Sequence, residues 1–127
     1  MLGTGMKDEP PLQPLYWVGS SKKDLKALPK RVIDVFGYAL YLAQSGRKHG
    51  DTKPLKGFGS GRAMEVLVAY EGNTYRAVYM LRPRVGVFVL HVFQKKSKRG
   101  IATPKRELKL IRERWKAAEE MAKESES

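Results

Sequence analysis

Residues 64–93 read MEVLVAYEGNTYRAVYMLRPRVGVFVLHVF, and the fold turns on this stretch. Met64, Val66, Val68 and Tyr70 alternate with Glu65, Leu67 and Ala69, the period of a strand. Gly72-Asn73 separates this run from Thr74–Leu81, which predicts a hairpin with a two-residue loop. Arg82-Pro83-Arg84 turns the chain again into VGVFVLHVF, apolar on both faces and therefore expected inside a sheet. Three strands joined by short turns make an antiparallel meander.

The loop sets a register. It places Tyr70 opposite Tyr75, Ala69 opposite Arg76 and Glu65 opposite Met80. Arg76 then shares a face with Glu65, Leu67, Ala69, Thr74, Val78 and Met80. An arginine inside a strand is costly unless solvated or paired. Arg76 is either an exposed strand residue or a guanidinium fixed in a cleft, suited to a bidentate grip on phosphate. His91 depends on the turn at 82–84. A four-residue loop pairs it with Arg76, whereas a three-residue loop pairs Arg76 with Leu90 and sends His91 to the other face. In a basic cleft His91 would titrate near neutrality; otherwise it is a core residue.

Upstream, Met1 to Pro14 reads as a flexible leader, with Lys7, Asp8, Glu9 and three prolines unlike a signal or transit peptide. Leu15-Tyr16-Trp17-Val18 predicts a short strand, and Ser21 an N-cap for a helix through Leu25 and Leu28. Pro29 suits the first position of a second helix, whose stripe is Val32, Phe36, Ala39 and Ala43, with Ile33 and Leu40 beside it. Gly46 ends it. Residues 47–63, RKHGDTKPLKGFGSGRA, hold four glycines and Pro54, which predicts no regular element. This segment either wraps a ligand or is a plain connection.

Downstream of the strands, Thr103-Pro104 predicts an N-cap and first helical residue. Leu108, Ile111, Trp115, Ala118 and Ala122 then form the apolar stripe of a C-terminal helix. The expectation is a single α+β domain over 15–123, flanked by the 1–14 leader and an acidic tail at 124–127. Its small antiparallel sheet, a short N-terminal strand plus the three-stranded meander, carries two N-terminal helices and the C-terminal helix on one face.

Composition narrows the chemistry. The chain has 127 residues, no cysteine and two histidines, His49 and His91, which excludes a disulfide framework, a thiol nucleophile and the usual Cys/His metal sites. The longest apolar strand-like stretch, 85–93, holds nine residues, too few for a membrane helix. Lys and Arg number 25 against 13 Asp and Glu, a net +12. Thirteen of those cations lie between Arg76 and Lys116, with only Glu107 and Glu113 opposing them. A field this positive attracts polyanions, and nucleic acid is the expected target. No Ser-His-Asp set, paired carboxylates or phosphate-binding glycine fingerprint is present.

The succession KPLKGFGSG, MEVLVAYEGNTYRAVYML, VFVLHVFQKKS and TPKRELKLIRERW resembles the RelE/ParE superfamily of bacterial toxins, in its phage-derived, HigB-like branch. The resemblance spans Tyr16 to Lys116. It implies a RelE-like fold and a ribosome-dependent, metal-free and cofactor-free endoribonuclease that cuts mRNA through the ribose 2′-hydroxyl. It assigns Arg76 to the scissile phosphate, and Lys95 and Lys96 to transition-state charge or the leaving oxygen. RelE carries lysines on the strand before its arginine; here that strand reads Leu67-Val68-Ala69. The RelE tyrosine after the basic pair falls near Ala102 and is absent. Lys53, Lys56 or His91 would then have to serve as base. Lys98, Arg99, Lys105, Arg106, Lys109, Arg112 and Lys116 are the expected RNA- and ribosome-binding residues. A cytoplasmic location and an antitoxin, acidic at the contact and with a helix-turn-helix domain, complete the reading. The alternatives are a ParE-like gyrase inhibitor and a catalytically silent RNA- or ribosome-binding module.

Overall fold

The computed structural model describes residues 11–58, 62–95 and 103–126. Alternation in the central stretch builds three long strands, β3 (Ala63–Tyr70), β4 (Asn73–Arg82) and β5 (Gly86–Lys95). Before them come β1 (Leu15–Trp17), α1 (Ser21–Lys26), α2 (Lys30–Gln44) and β2 (Thr52–Pro54), and after them α3 (Lys105–Glu126). The sheet order is β1-β5-β4-β3-β2. The α+β expectation holds.

Several details differ. β1 runs parallel to β5, with Leu15 opposite Val87 and Trp17 opposite Val89, so the sheet is mixed. The glycine-rich segment holds a short strand, β2, antiparallel to β3. Pro54 is tolerated there because β2 is an edge. The helices cover both faces of the sheet. Val32, Phe36, Ala39, Leu40 and Ala43 of α2 pack with Val66, Val68, Ala77, Tyr79 and Val89, whereas Ile111, Ala118 and Ala122 of α3 pack with Val78, Met80, Phe88, Leu90 and Phe93. Strands apolar on both sides need a layer on each.

The hairpin loop is Glu71-Gly72, one residue earlier than expected, with φ 48° and 80°. Two left-handed residues suit the twist of a tight hairpin, and glycine takes the second at little cost. Asn73 instead pairs with Tyr70, and its side chain accepts a 2.9 Å bond from Gln94 Nε2. The register therefore slides by two: Arg76 faces Leu67, not Ala69, and Met80 faces Ala63, not Glu65. A slide of two preserves every residue's face.

Gln13 and Pro14 do not behave as a leader. Gln13 N donates to Gln44 O at 2.8 Å, and Val87 N donates to Pro14 O at 2.9 Å. Residues 124–126, expected as a tail, form the last turn of α3. Leu108 N donates to Pro104 O at 3.0 Å, so Pro104 precedes the first helical residue, Lys105. Most of the expected leader (1–10) and the Lys96, Lys98 and Arg99 positions lie outside the described residues.

Candidate functional site

Pairing across the sheet lines up the charged residues on its α3 side. Lys53 of β2 stands opposite Glu65, Glu65 opposite Val78, and Val78 opposite His91. The next row is Leu67, Arg76 and Phe93, followed by Ala69, Thr74 and Lys95. Arg76 Nη1 donates to Glu65 Oε2 at 2.5 Å and to Thr103 Oγ1 at 3.3 Å. The Arg76 and Glu65 side chains are 5% and 2% exposed, so Arg76 is not an exposed strand residue. Burial is tolerable because each charge faces the other.

A cleft of about 390 Å³ opens beside this pair. Lys53 and Lys56 line it from the glycine-rich segment, Glu65 and Arg76 from the sheet, Thr103 and Leu108 from the start of α3. Lys95 is buried nearby on the same face. Burial is the main force holding its ammonium below the ordinary lysine range; the Arg76 and Lys53 cations add to it, and Glu65 opposes. Such an arrangement can bind an anion and offers a lysine whose proton is held less firmly than usual.

His91 takes neither of the two expected placements. The β4–β5 loop is three residues, 83–85, but the register then shifts, with Tyr79 opposite Val89 and Val78 opposite His91. Leu90 is the extra residue of this bulge, which keeps His91 on the α3 side and pairs Arg76 with Phe93. There His91 Nε2 lies 2.7 Å from Glu107 Oε1, and Arg114 Nη1 lies 3.4 Å from His91 Nδ1. Its ring stacks on Phe93 at 4.6 Å. With Arg114 as donor, Nδ1 accepts and Nε2–H donates to Glu107. Burial lowers the His91 pKa, chiefly against the pull of Glu107. His91 ties α3 to the sheet and does not line the cleft.

Lys105, Arg106, Lys109, Arg112 and Lys116 are exposed on α3. Lys105, Lys109, Arg112 and Lys116 recur at helical spacing and form one stripe. The Arg112 guanidinium lies 5.7 Å from the centre of the Phe58 ring, which tethers the glycine-rich segment to α3. Glu65 and Thr103 complete the cleft without having been expected in it. Glu65 had a signal, a carboxylate in an apolar strand on the face of Arg76. Thr103 had only that of a cap.

No helix among the described residues is long and apolar enough to cross a membrane. Comparison with curated proteins gives no match. Among solved structures, a chain of the toxin–antitoxin complex RelBE2 from Mycobacterium tuberculosis is similar, at 20% identity and a TM-score of 0.46 over 68% of this chain and 94% of that one. The family model described as Phage derived protein Gp49-like (DUF891) matches residues 23–116. That span takes in the cleft residues of the sheet, Lys95 and the basic stripe of α3, and it accords with the phage-derived resemblance of the motifs: the chain belongs to the Phage derived protein Gp49-like family.

Proposed function

We propose that this protein is the toxin of a type II toxin–antitoxin system and a ribosome-dependent mRNA endoribonuclease acting by metal-free 2′-hydroxyl attack. The observation that carries the reading is the cleft lined by Arg76, Lys53 and Lys56, with Lys95 buried nearby on the same face of the sheet. In the reaction a base takes the 2′-hydroxyl proton, and the 2′-oxygen bonds to phosphorus. The bond to the 5′-oxygen breaks and that oxygen is protonated, leaving a 2′,3′-cyclic phosphate and a 5′-hydroxyl. Arg76 holds the phosphate and the charge that builds on it, oriented by Glu65. Lys95, with its lowered pKa, suits protonation of the leaving oxygen. Lys53 and Lys56 are the candidates for the base, because the bonds of His91 to Glu107 and Arg114 argue against that residue.

The α3 stripe and Arg106, together with Lys98 and Arg99, supply the surface for ribosomal RNA and mRNA, while Lys96 acts with Lys95 on the transition-state charge. The protein acts in the cytoplasm and is held in check by a cognate antitoxin, a helix-turn-helix protein acidic at the contact. Primer extension on an mRNA, with and without translating ribosomes, tests the function. Cuts in phase with codons, appearing only with ribosomes, are expected. Efficient cleavage of naked RNA, or no cleavage in either mixture, would overturn it.

A further inference from the structure

A second basic site lies at the far end of β4. Arg76 and Arg82 are six residues apart on that strand, which puts them roughly 20 Å apart at about 3.3 Å per residue. Around Arg82 the chain forms an open cleft of about 760 Å³. Arg62, Arg82 and Arg84 line it, with Tyr16 of β1 and Ser125 and Glu126 of the last turn of α3. Arg84 sits in the β4–β5 turn at φ 70°, a left-handed conformation an L side chain rarely adopts. Arg82 Nη2 bonds Glu126 Oε1 at 3.3 Å, and the Glu126 side chain is 46% exposed. Arg62 and Arg84 are exposed and form no ion pair among the described residues.

Three arginines thus line a cleft that holds one carboxylate, bonded to Arg82 alone, and that carboxylate belongs to the protein's own helix end. We propose that this pole binds an acidic peptide segment of a partner protein, and that Glu126 is an internal competitor occupying Arg82 until that segment arrives. A carboxylate ligand is favoured over an RNA backbone for two reasons. Glu126 shows that the cleft accepts a carboxylate in hydrogen-bonding geometry. The basic stripe of α3 also gives way after Lys116 to Glu119, Glu120, Glu124 and Glu126, with Lys123 the one cation among them and paired to Glu120 at 3.5 Å. A continuous string of phosphates reaching this pole along the helix would run past those carboxylates, whereas a peptide can place its charges where the arginines are. In the toxin reading the partner is the antitoxin, engaging the molecule away from the Arg76 cleft. The binding itself does not depend on that reading.

The test is a titration of the full-length protein at 150 mM salt with a labelled peptide of alternating Glu and Asp, beside a single-stranded oligoribonucleotide of equal charge. Glu126→Gln should tighten the peptide about two- to fivefold, the scale of an exposed ion pair lost as a competitor. Arg62→Gln with Arg84→Gln should weaken it about tenfold or more, and Lys109→Gln with Arg112→Gln less than twofold. No tightening with Glu126→Gln overturns the competitor. Peptide binding that survives loss of Arg62 and Arg84, or an oligoribonucleotide that depends on those two arginines more than the peptide does, overturns the site. Because no cleavage is read, a failed nuclease assay leaves this result standing on its own.

Discussion

At Arg76 two demands meet: a buried guanidinium needs a partner, and a guanidinium that is to grip phosphate must be held still. Glu65 answers both, which changes how the residue should be tested. Arg76→Ala alone strands a buried carboxylate, a loss of about 3–5 kcal/mol. The double variant Arg76→Gln, Glu65→Gln removes both charges and keeps two hydrogen-bonding amides. It should fold, still co-sediment with ribosomes, and cut roughly a hundredfold more slowly or worse, read by single-turnover primer extension. His91 yields a prediction about pH. Its folded pKa lies below the unfolded 6.5, so the unfolded chain binds the extra proton first. Stability should fall as pH drops through 6.5 and level off below the folded pKa, and His91→Gln should flatten that part of the melting-temperature profile. The face that Arg76 shares with Glu65 was legible in the sequence, because strand alternation fixes it and a two-residue slide leaves it unchanged; that of Lys95 was not, since it lies on β5 beyond the same inserted residue as His91. The surroundings of His91 were not, since a single inserted residue at Leu90 decides them.

Among the elements, the helices were the most legible, because their stripes are long enough for the period to dominate. The last helix runs further than expected, to Glu126, whose carboxylate bonds Arg82 of β4. β2 was hidden by its composition: three residues, one of them proline, carry no alternation, and the strand exists because the edge of β3 is there to pair with. Without it Lys53 would not stand opposite Glu65. The parallel docking of β1 was equally hidden, being a long-range pairing of a three-residue run. It depends on one close approach. A Cβ at Gly86 would lie 2.7 Å from Pro14 O and 2.8 Å from the Tyr16 ring, and the Pro14 oxygen is backbone that cannot swing away. Gly86→Ala should therefore cost about 1–3 kcal/mol as overpacking, lowering the melting temperature by about 5–15 °C in calorimetry. An unchanged melting temperature would mean that β1 can shift without loss.

For the whole molecule, charge and topology set separate behaviours. The +12 field is long-ranged and salt-sensitive, while the cleft acts over a few ångströms. Replacing Lys109 and Arg112 together with glutamine should lower the salt slope of ribosome binding by about two units, roughly one per lost phosphate contact, and change the cleavage step little once bound. Filter binding across a salt series reads the first quantity and single-turnover cleavage at saturating ribosomes the second. The pairing of β1 with β5 has a consequence of another kind. Leu15 and Val87 are far apart in sequence and closing so long a loop costs entropy, so this pairing is expected late on the folding route. Tyr16, stacked on Phe88 with ring centres 4.7 Å apart, reports on it. In stopped-flow chevrons Tyr16→Ala should steepen neither limb, leave the refolding rate near its wild-type value and speed unfolding by nearly the whole loss of stability. The strand at that edge of the sheet is then a clasp on the finished protein, setting how long the folded state lasts rather than how fast it forms.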